Sequence, residues 1–212
     1  MIEINNLTKK YGDSVVLDDV SVCFEKGKIY GLVGRNGSGK TMLMKCIMGF
    51  VIPQEGTITV DGQVIGKDVD VPEDVGAIIE NPGFLLDCDA FQNLKYLAMI
   101  KGIISDKEIK SVIRQVGLNP EDKKKVRKFS LGMRQRLGLA QALMEKPKIL
   151  ILDEPMNGLD DKGVDDMRNI IREYCNDERI VIMASHSKED IALLCDQVFY
   201  MSQGRLRLIK SE

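Results

Sequence analysis

Hydrophobic and polar positions in the first part of the chain alternate in the manner of β-strands. Alternating segments at Ile2–Leu7, Ser21–Glu25 and Thr57–Val60 predict an antiparallel β-region. The dipeptide Asp61-Gly62, directly after the last segment, is typical of a tight turn between paired strands. The N-terminal part of the chain is therefore predicted to be rich in β-structure.

A second pattern consists of short apolar runs separated by stretches with helical spacing. Ile29–Val33 is an apolar run that ends at a glycine-rich loop, and Lys40–Phe50 follows the loop with helical periodicity. Lys148–Leu152, Ile180–Ala184 and Val198–Met201 are further candidates for buried strands. Because helical stretches separate these runs, the pattern predicts a parallel sheet with crossover helices.

Between Thr57–Val60 and Lys148–Leu152 the chain is largely helical, over approximately residues 84–147. Helical periodicity is found at Phe91–Lys101, Asp106–Val116 and Ser130–Glu145. We therefore expect an α/β fold with an N-terminal antiparallel β-region and an inserted helical subdomain. The sequence shows no internal repeat or linker, so residues 1–212 are predicted to form a single domain.

The amino-acid composition disfavours several classes of protein. The chain has 212 residues, 44% of them hydrophobic, which suffices for one sizeable core. Lys and Arg number 30 against 32 Asp and Glu, so no basic field favours nucleic acid as a partner. The five cysteines are scattered, without the spacing of a disulfide framework or a zinc site. Without a signal peptide or an apolar run of roughly 18 residues, we expect a cytoplasmic chain that does not span the membrane.

The glycine-rich loop carries the first chemical motif. It matches the phosphate-binding pattern G-x-x-x-x-G-K-[ST] and lies between a predicted strand and a predicted helix, as that motif requires. Its residues are Gly34, Arg35, Asn36, Gly37, Ser38, Gly39, Lys40 and Thr41. Glycines let backbone N–H groups converge on phosphate oxygens, and the helix N-terminus adds a favourable dipole. Lys40 is expected to reach the β- and γ-phosphates, and Thr41 to bind Mg²⁺; the alternative is an ordinary strand-to-helix turn.

Two acidic residues follow the next apolar strand. Asp153 and Glu154 come directly after Lys148–Leu152, so both are expected at the carboxyl edge of the sheet, where ligands of α/β proteins bind. Asp153 is the expected Mg²⁺ ligand, and Glu154 is expected to orient or deprotonate the attacking water. Taken alone, the pair could simply begin a solvated loop.

A third motif, shortly before that strand, resembles the signature of the ATP-binding cassette (ABC) family. The family form is L-S-G-G-Q followed by x-Q-R, whereas this chain has the run Phe129-Ser130-Leu131-Gly132-Met133-Arg134-Gln135-Arg136. Departures from the family form occur at Phe129, Leu131 and Met133. The resemblance implies that Ser130 and Gly132 bind the γ-phosphate of ATP held by a partner protomer, and hence that nucleotide binding produces a homodimer. The alternative is a helix start, since serine is a good N-cap.

Further positions resemble the family in the expected order. Asp160 in Asn157-Gly158-Leu159-Asp160 resembles the D-loop at the dimer interface, and His186 resembles the switch histidine that contacts the γ-phosphate. Tyr11 resembles the aromatic residue that stacks on adenine, although a turn tyrosine could simply cover the core. Glu80 stands where the family normally has a glutamine, and its carboxylate could still accept Mg²⁺ or a water molecule.

The resemblance implies a function. A chain of this family would be the ATP-hydrolysing subunit of a transporter, peripheral on the inner face of the cell membrane, acting through separate transmembrane permease subunits. Glu80, the altered signature and the short chain are similar to ATPases of bacitracin- and lantibiotic-type peptide exporters and immunity systems. The alternative is a soluble ABC-type ATPase acting on ribosomes or nucleic acid, although such chains usually carry two cassettes or long coiled-coil arms. A GTPase switch would need a guanine-reading N-K-x-D segment, which the sequence lacks.

Overall fold

The structure, a computed structural model, describes residues 1–80 and 82–211. Within them the strands are β1 (Ile2–Tyr11), β2 (Ser14–Phe24), β3 (Lys28–Val33), β4 (Glu55–Val60), β5 (Gln63–Val64), β6 (Val75–Ile78), β7 (Ile149–Asp153), β8 (Ile180–Ala184), β9 (Gln197–Ser202) and β10 (Arg205–Ser211). The α-helices are α1 (Lys40–Ile47), α2 (Ala90–Lys101), α3 (Asp106–Gln115), α4 (Leu131–Leu143), α5 (Asp161–Tyr174) and α6 (Lys188–Leu194). No helix among the described residues has both the length and the apolar content to cross a bilayer.

The N-terminal sheet is antiparallel, with strand order β2-β1-β4-β5. Asp61 and Gly62 join β4 to β5, and both have positive φ, 46° and 88°, as a two-residue type I′ turn requires. The predicted turn is therefore confirmed. Strand β2 already begins at Ser14, well before the predicted start at Ser21. Register shifts in its pairing with β1 interrupt the alternation of apolar positions, so the pattern hides this half of the strand.

The second sheet has strand order β10-β9-β3-β8-β7-β6, and β3 runs parallel to both of its neighbours, β8 and β9. The prediction of a parallel sheet is confirmed. In β7, Leu150 and Leu152 belong to the core that packs under the helical insertion, whereas Ile149 and Ile151 belong to the core under the antiparallel sheet. Because both faces are covered, the strand is a continuous apolar run.

Helices α2, α3 and α4 lie between β6 and β7 and form the predicted helical insertion. The N-terminus of each helix is capped by a side chain close to it in sequence. Asp89 and Ser105 form capping boxes at the N-termini of α2 and α3, and the Ser130 hydroxyl accepts a hydrogen bond from the Met133 N–H at the start of α4. Helix α4 ends at Leu143, before the predicted end at Glu145, because the chain turns at Lys146, whose φ is 54°.

Parallel pairing brings the carboxyl ends of three strands to one edge of the sheet. Val33 ends β3, Asp153 ends β7 and Ala184 ends β8. Residues that follow these strands, widely separated in sequence, are therefore neighbours in space, as expected for the ligand edge of an α/β sheet.

Candidate active site at the carboxyl edge of the parallel sheet

The loop 34–41 connects β3 to α1, and two of its glycines lie too close to other backbone atoms for a side chain to fit. A Cβ at Gly34 would lie 2.2 Å from the Met201 carbonyl oxygen, and a Cβ at Gly39 would lie 2.8 Å from the Val16 carbonyl oxygen. Gly39 also has φ 113°, which side chains rarely adopt. Glycine at these two positions therefore lets the loop pack closely against the backbone at Met201 and Val16.

Lys40 lies inside the loop, and only 7% of it is exposed. Its Nζ donates to the carbonyl oxygens of Gly34 at 2.8 Å and Arg35 at 3.2 Å. The ammonium group is thus held within the curve of the loop at the start of α1. An anion bound by the loop would find a positive charge already in place.

Asp153 and Thr41 connect the end of β7 to the loop. The Thr41 hydroxyl donates to Asp153 Oδ2 at 2.6 Å. These two oxygens could hold Mg²⁺, which is commonly bound by one or two protein oxygens together with phosphates and water. Among the described residues, no group of three or more His, Cys, Asp and Glu side chains forms an all-protein metal site. The two oxygens of Thr41 and Asp153 fit a metal ion whose other ligands are phosphates and water.

Glu154 is half-buried next to Asp153. Its Oε2 accepts a hydrogen bond of 3.3 Å from the His186 N–H, whereas its Oε1 is buried with no hydrogen-bond partner among the described residues. The backbone N–H of Glu154 donates to the Ala184 carbonyl, and Gln135 Nε2 donates to the Glu154 carbonyl at 3.1 Å. Burial raises the pKa of the Glu154 carboxyl, and the His186 N–H partly opposes that shift. The two carboxylate oxygens of Glu154 can accept more hydrogen bonds than the one from the His186 N–H, which is the capacity that binding a water molecule needs.

His186 bridges the two parts of the site. Its Nε2 lies 2.8 Å from Asn36 Oδ1 in the glycine-rich loop and 3.4 Å from Glu154 Oε1. The residue follows β8, as the sequence predicted, and its ring is half-exposed toward the cavity. His186 therefore connects the glycine-rich loop after β3 to the Glu154 carboxylate after β7.

These groups line one cavity of about 510 Å³, within the range of small-molecule sites. Predicted residues in its wall are Asn36, Gly37, Ser38, Gly39, Lys40, Thr41, Glu80, Asp153, Glu154 and His186. Residues that sequence reasoning did not assign to the site are Val16, Met42, Leu131, Gln135 and Asn157. Gln135 carried a signal, since it belongs to the signature-like run; Val16 and Met42 are apolar positions with no signal in sequence.

Some predicted residues lie outside the cavity wall. Tyr11 is exposed, with its hydroxyl 4.0 Å from the sulfur of Met42, which does line the cavity. The Lys9 ammonium lies 4.9 Å from the centre of the Tyr11 ring. Tyr11 therefore borders the site through Met42. Its stacking on adenine stays a prediction.

The first residues of α4 in the signature-like run lie directly beside the loop 157–160. Ser130 is exposed and caps α4. A Cβ on Gly132 would lie 2.9 Å from the Gly158 carbonyl oxygen, and a Cβ on Gly158 would lie 2.4 Å from the Leu131 side chain. Asp160 caps α5 by accepting a hydrogen bond from the Gly163 N–H at 3.0 Å. The roles of these residues toward a second protomer stay predictions.

A sequence model of the family described as ABC transporter matches residues 17–157 of this chain. The chain belongs to the ABC transporter family. It is an ATP-binding protein and ATPase of that family, and the predicted resemblance is confirmed. The matched segment includes the glycine-rich loop, the signature-like run and the Asp153-Glu154 pair.

Individual relatives agree with this assignment. An uncharacterized ABC transporter ATP-binding protein of Bacillus subtilis (strain 168), YybJ, is 52% identical over 97% of this ABC ATPase and 94% of its own length. The bacitracin transport ATP-binding protein BcrA of Enterococcus faecalis is 38% identical over 97% of this chain and 68% of its own. The lantibiotic transport ATP-binding protein SrtF of Streptococcus pyogenes is 37% identical over 99% of this chain and 90% of its own length.

Solved structures confirm the fold. An ATP-binding subunit of an ABC transporter superposes with a TM-score of 0.89 at 24% identity, covering 99% of this chain and 90% of the other. A dimeric bacterial ABC transporter cassette, MJ0796, superposes with a TM-score of 0.88 at 22% identity, and the superposition covers 100% of this chain and 99% of the other. The predicted α/β fold with an antiparallel β-region and a helical insertion is thus that of ABC ATPases.

Proposed function

We propose that this ABC ATPase binds ATP with its phosphates on the loop 34–41, hydrolyses it at Glu154, and thereby drives transport through separate transmembrane permease subunits. The observation that carries the proposal is the convergence of Lys40, the Thr41–Asp153 pair and the Glu154–His186 pair on one cavity. Phosphoryl transfer depends mainly on positioning and charge stabilisation, and these groups supply both.

Each residue has a role within this proposal. Backbone N–H groups of the loop bind phosphate oxygens, and Lys40 places its charge at the β- and γ-phosphates. Thr41 and Asp153 would hold Mg²⁺, which neutralises developing charge on the phosphates. Glu154 accepts the proton of the attacking water, and the raised pKa of its carboxyl brings it closer to neutral pH, where a general base is most effective. His186 holds Glu154 through its N–H and reaches Asn36 through its ring.

Glu80 is retained as a candidate ligand of the nucleotide or its metal, because it lines the cavity. Its carboxylate binds Lys45 at 2.7 Å and is largely exposed. We predict that Glu80→Gln leaves folding intact, because exposed ion pairs contribute only about 0–1 kcal/mol. Mg²⁺-dependent ATPase activity should stay within about tenfold of wild type, or 1.4 kcal/mol of barrier. Complete loss of phosphate release in a steady-state assay would show that the carboxylate itself is required.

A second protomer completes the site in this proposal. Ser130 and Leu131 are exposed at the start of α4, where the dipole of the helix favours an anion. MJ0796, which shares the fold, has been solved as a dimer. We therefore propose that Ser130 and Gly132 bind the γ-phosphate of ATP held by the partner, with Asp160 at the interface, so that ATP favours the homodimer.

A double variant tests the dimer. In a Glu154→Gln background, where ATP should persist, we expect a dimer with Mg-ATP and a monomer with ADP in light-scattering chromatography. Adding Ser130→Arg should abolish the dimer and leave ATP affinity of the monomer unchanged, because the steric conflict lies between protomers. Adding Ser130→Ala is the matched comparison: it removes the hydroxyl and the same helix cap, worth about 1 kcal/mol, without adding bulk, and should weaken the dimer less than Ser130→Arg. Dimers that survive Ser130→Arg would place this surface outside the interface.

The names of two relatives suggest the substrate class. BcrA acts in bacitracin transport and SrtF in lantibiotic transport. We propose that the chain drives the export of peptide antibiotics or gives immunity to them, docked on the inner face of the cell membrane. Tagged chain purified from detergent-treated membranes should retain a polytopic membrane protein in stoichiometric amount. Retention of ribosomes or nucleic acid in its place would favour an ABC-type ATPase that does not act in transport.

A further inference from the structure

An ion pair lies at the rim of the nucleotide cavity, between two residues separated by 35 positions in sequence. The Lys45 ammonium on α1 lies 2.7 Å from Oε1 of Glu80, which is two residues beyond the end of β6. Lys45 is one helical turn beyond Thr41, so the two side chains lie on the same face of α1. Glu80 has φ 56°, a left-handed backbone conformation that residues with a Cβ rarely adopt.

The charges around the cavity explain why Glu80 would need a partner. Among the described residues of its wall, the carboxylates are Glu80, Asp153 and Glu154, whereas the cationic side chain is Lys40. Such a wall is unfavourable for a polyphosphate unless part of the negative charge is cancelled. Asp153 is expected to meet a metal ion, and Glu154 is needed for hydrolysis. Glu80 is the carboxylate whose charge is cancelled by a lysine outside that wall.

Resting on the proposed function, we infer that Lys45 is a positioning residue that sets nucleotide affinity through Glu80: it neutralises this carboxylate at the cavity rim and holds it against α1. The pair is exposed, with side-chain exposures of 29% for Lys45 and 64% for Glu80. It therefore adds little to folding stability and can be removed without unfolding the chain. What it changes is the electrostatic potential that an incoming nucleotide meets.

A double-mutant cycle on nucleotide affinity tests this role. Affinity for a fluorescent ATP analogue is measured in EDTA, so that no metal masks the charge, for wild type, Lys45→Met, Glu80→Gln and the double variant. We expect Lys45→Met to weaken binding about fivefold, the effect of one uncompensated charge near a protein surface. In EDTA the Glu80 carboxylate has no metal ion to bind, so the double variant, in which the net charge is restored, should return to within about twofold of wild type. Lys45→Arg keeps the charge and should bind like wild type.

Controls separate this inference from the proposed function. Lys95→Met removes a lysine from an exposed ion pair with Asp106 on the helical insertion and should leave affinity unchanged. Higher salt should reduce the Lys45→Met effect, because screening shortens the range of the charge. Lys40→Ala must weaken binding in every background; if it does not, the proposed nucleotide site is wrong, whatever Lys45 does.

Two results would overturn the inference. A double variant as weak as Lys45→Met would mean that Lys45 acts on the nucleotide itself and not through Glu80. Unchanged affinity of Lys45→Met in EDTA would mean that the charge of Glu80 does not reach the bound nucleotide. Recovery of affinity in the double variant also excludes misfolding as the cause of the single-variant defect.

Discussion

Lys40→Ala should lose most ATP binding, with affinity reduced about hundredfold, or roughly 3 kcal/mol, the value of a charge-assisted hydrogen bond removed from a largely buried site. Lys40 is 7% exposed and lies inside the loop, whereas the remaining contacts to phosphate are expected from backbone N–H groups. Binding of a fluorescent nucleotide measures the loss directly.

The same substitution leaves the carbonyl oxygens of Gly34 and Arg35 without their lysine donor, so folding is checked by thermal unfolding without nucleotide. Lys95→Ala, an exposed lysine far along the chain, is the matched control and should bind ATP like wild type. Wild-type affinity in Lys40→Ala would refute the assignment of the loop 34–41 as the phosphate site.

Glu154→Gln should keep ATP binding and reduce hydrolysis by about 10²- to 10⁴-fold, the contribution of a general base. Glutamine has nearly the same shape, and its oxygen can still accept from the His186 N–H, but it cannot take a proton from water. Phosphate release under saturating Mg-ATP measures the turnover, and binding is measured in parallel.

Glu189→Gln provides the control for Glu154→Gln. Glu189 is an exposed carboxylate on α6 that pairs with Arg168, outside the wall of the nucleotide cavity. Its substitution should leave turnover within about twofold, since exposed ion pairs have small effects. Wild-type turnover in Glu154→Gln would assign water activation to another residue.

Much of the fold was predictable because the buried strands are apolar on both faces. Ile29–Val33 and Ile180–Ala184 coincide almost fully with β3 and β8. Strand β6 escaped prediction because it has four residues, one of them Gly76, where a Cβ would lie 1.9 Å from the Ala142 carbonyl oxygen. That glycine is required by the close approach of α4, a tertiary contact that local pattern does not report. Strand β10 escaped because it is an edge strand with mostly exposed residues.

In the candidate site, too, some features were predictable from the sequence and others were not. The glycine-rich loop was predictable since its chemistry requires a fixed local spacing between a strand and a helix. The contact of Gln135 Nε2 with the Glu154 carbonyl and the pairing of Lys45 with Glu80 were not, because folding brings these residues together from different elements. Partners of this kind have no fixed spacing in sequence.

The most direct test of the central claim is the rate of phosphate release by the purified chain with ATP, in excess Mg²⁺ and in EDTA, beside Lys40→Ala. If ATP is hydrolysed at the site that contains Lys40, Thr41, Asp153 and Glu154, phosphate release should require Mg²⁺. In Lys40→Ala, phosphate release should fall to background. Release at the wild-type rate in EDTA, or from Lys40→Ala, would contradict it.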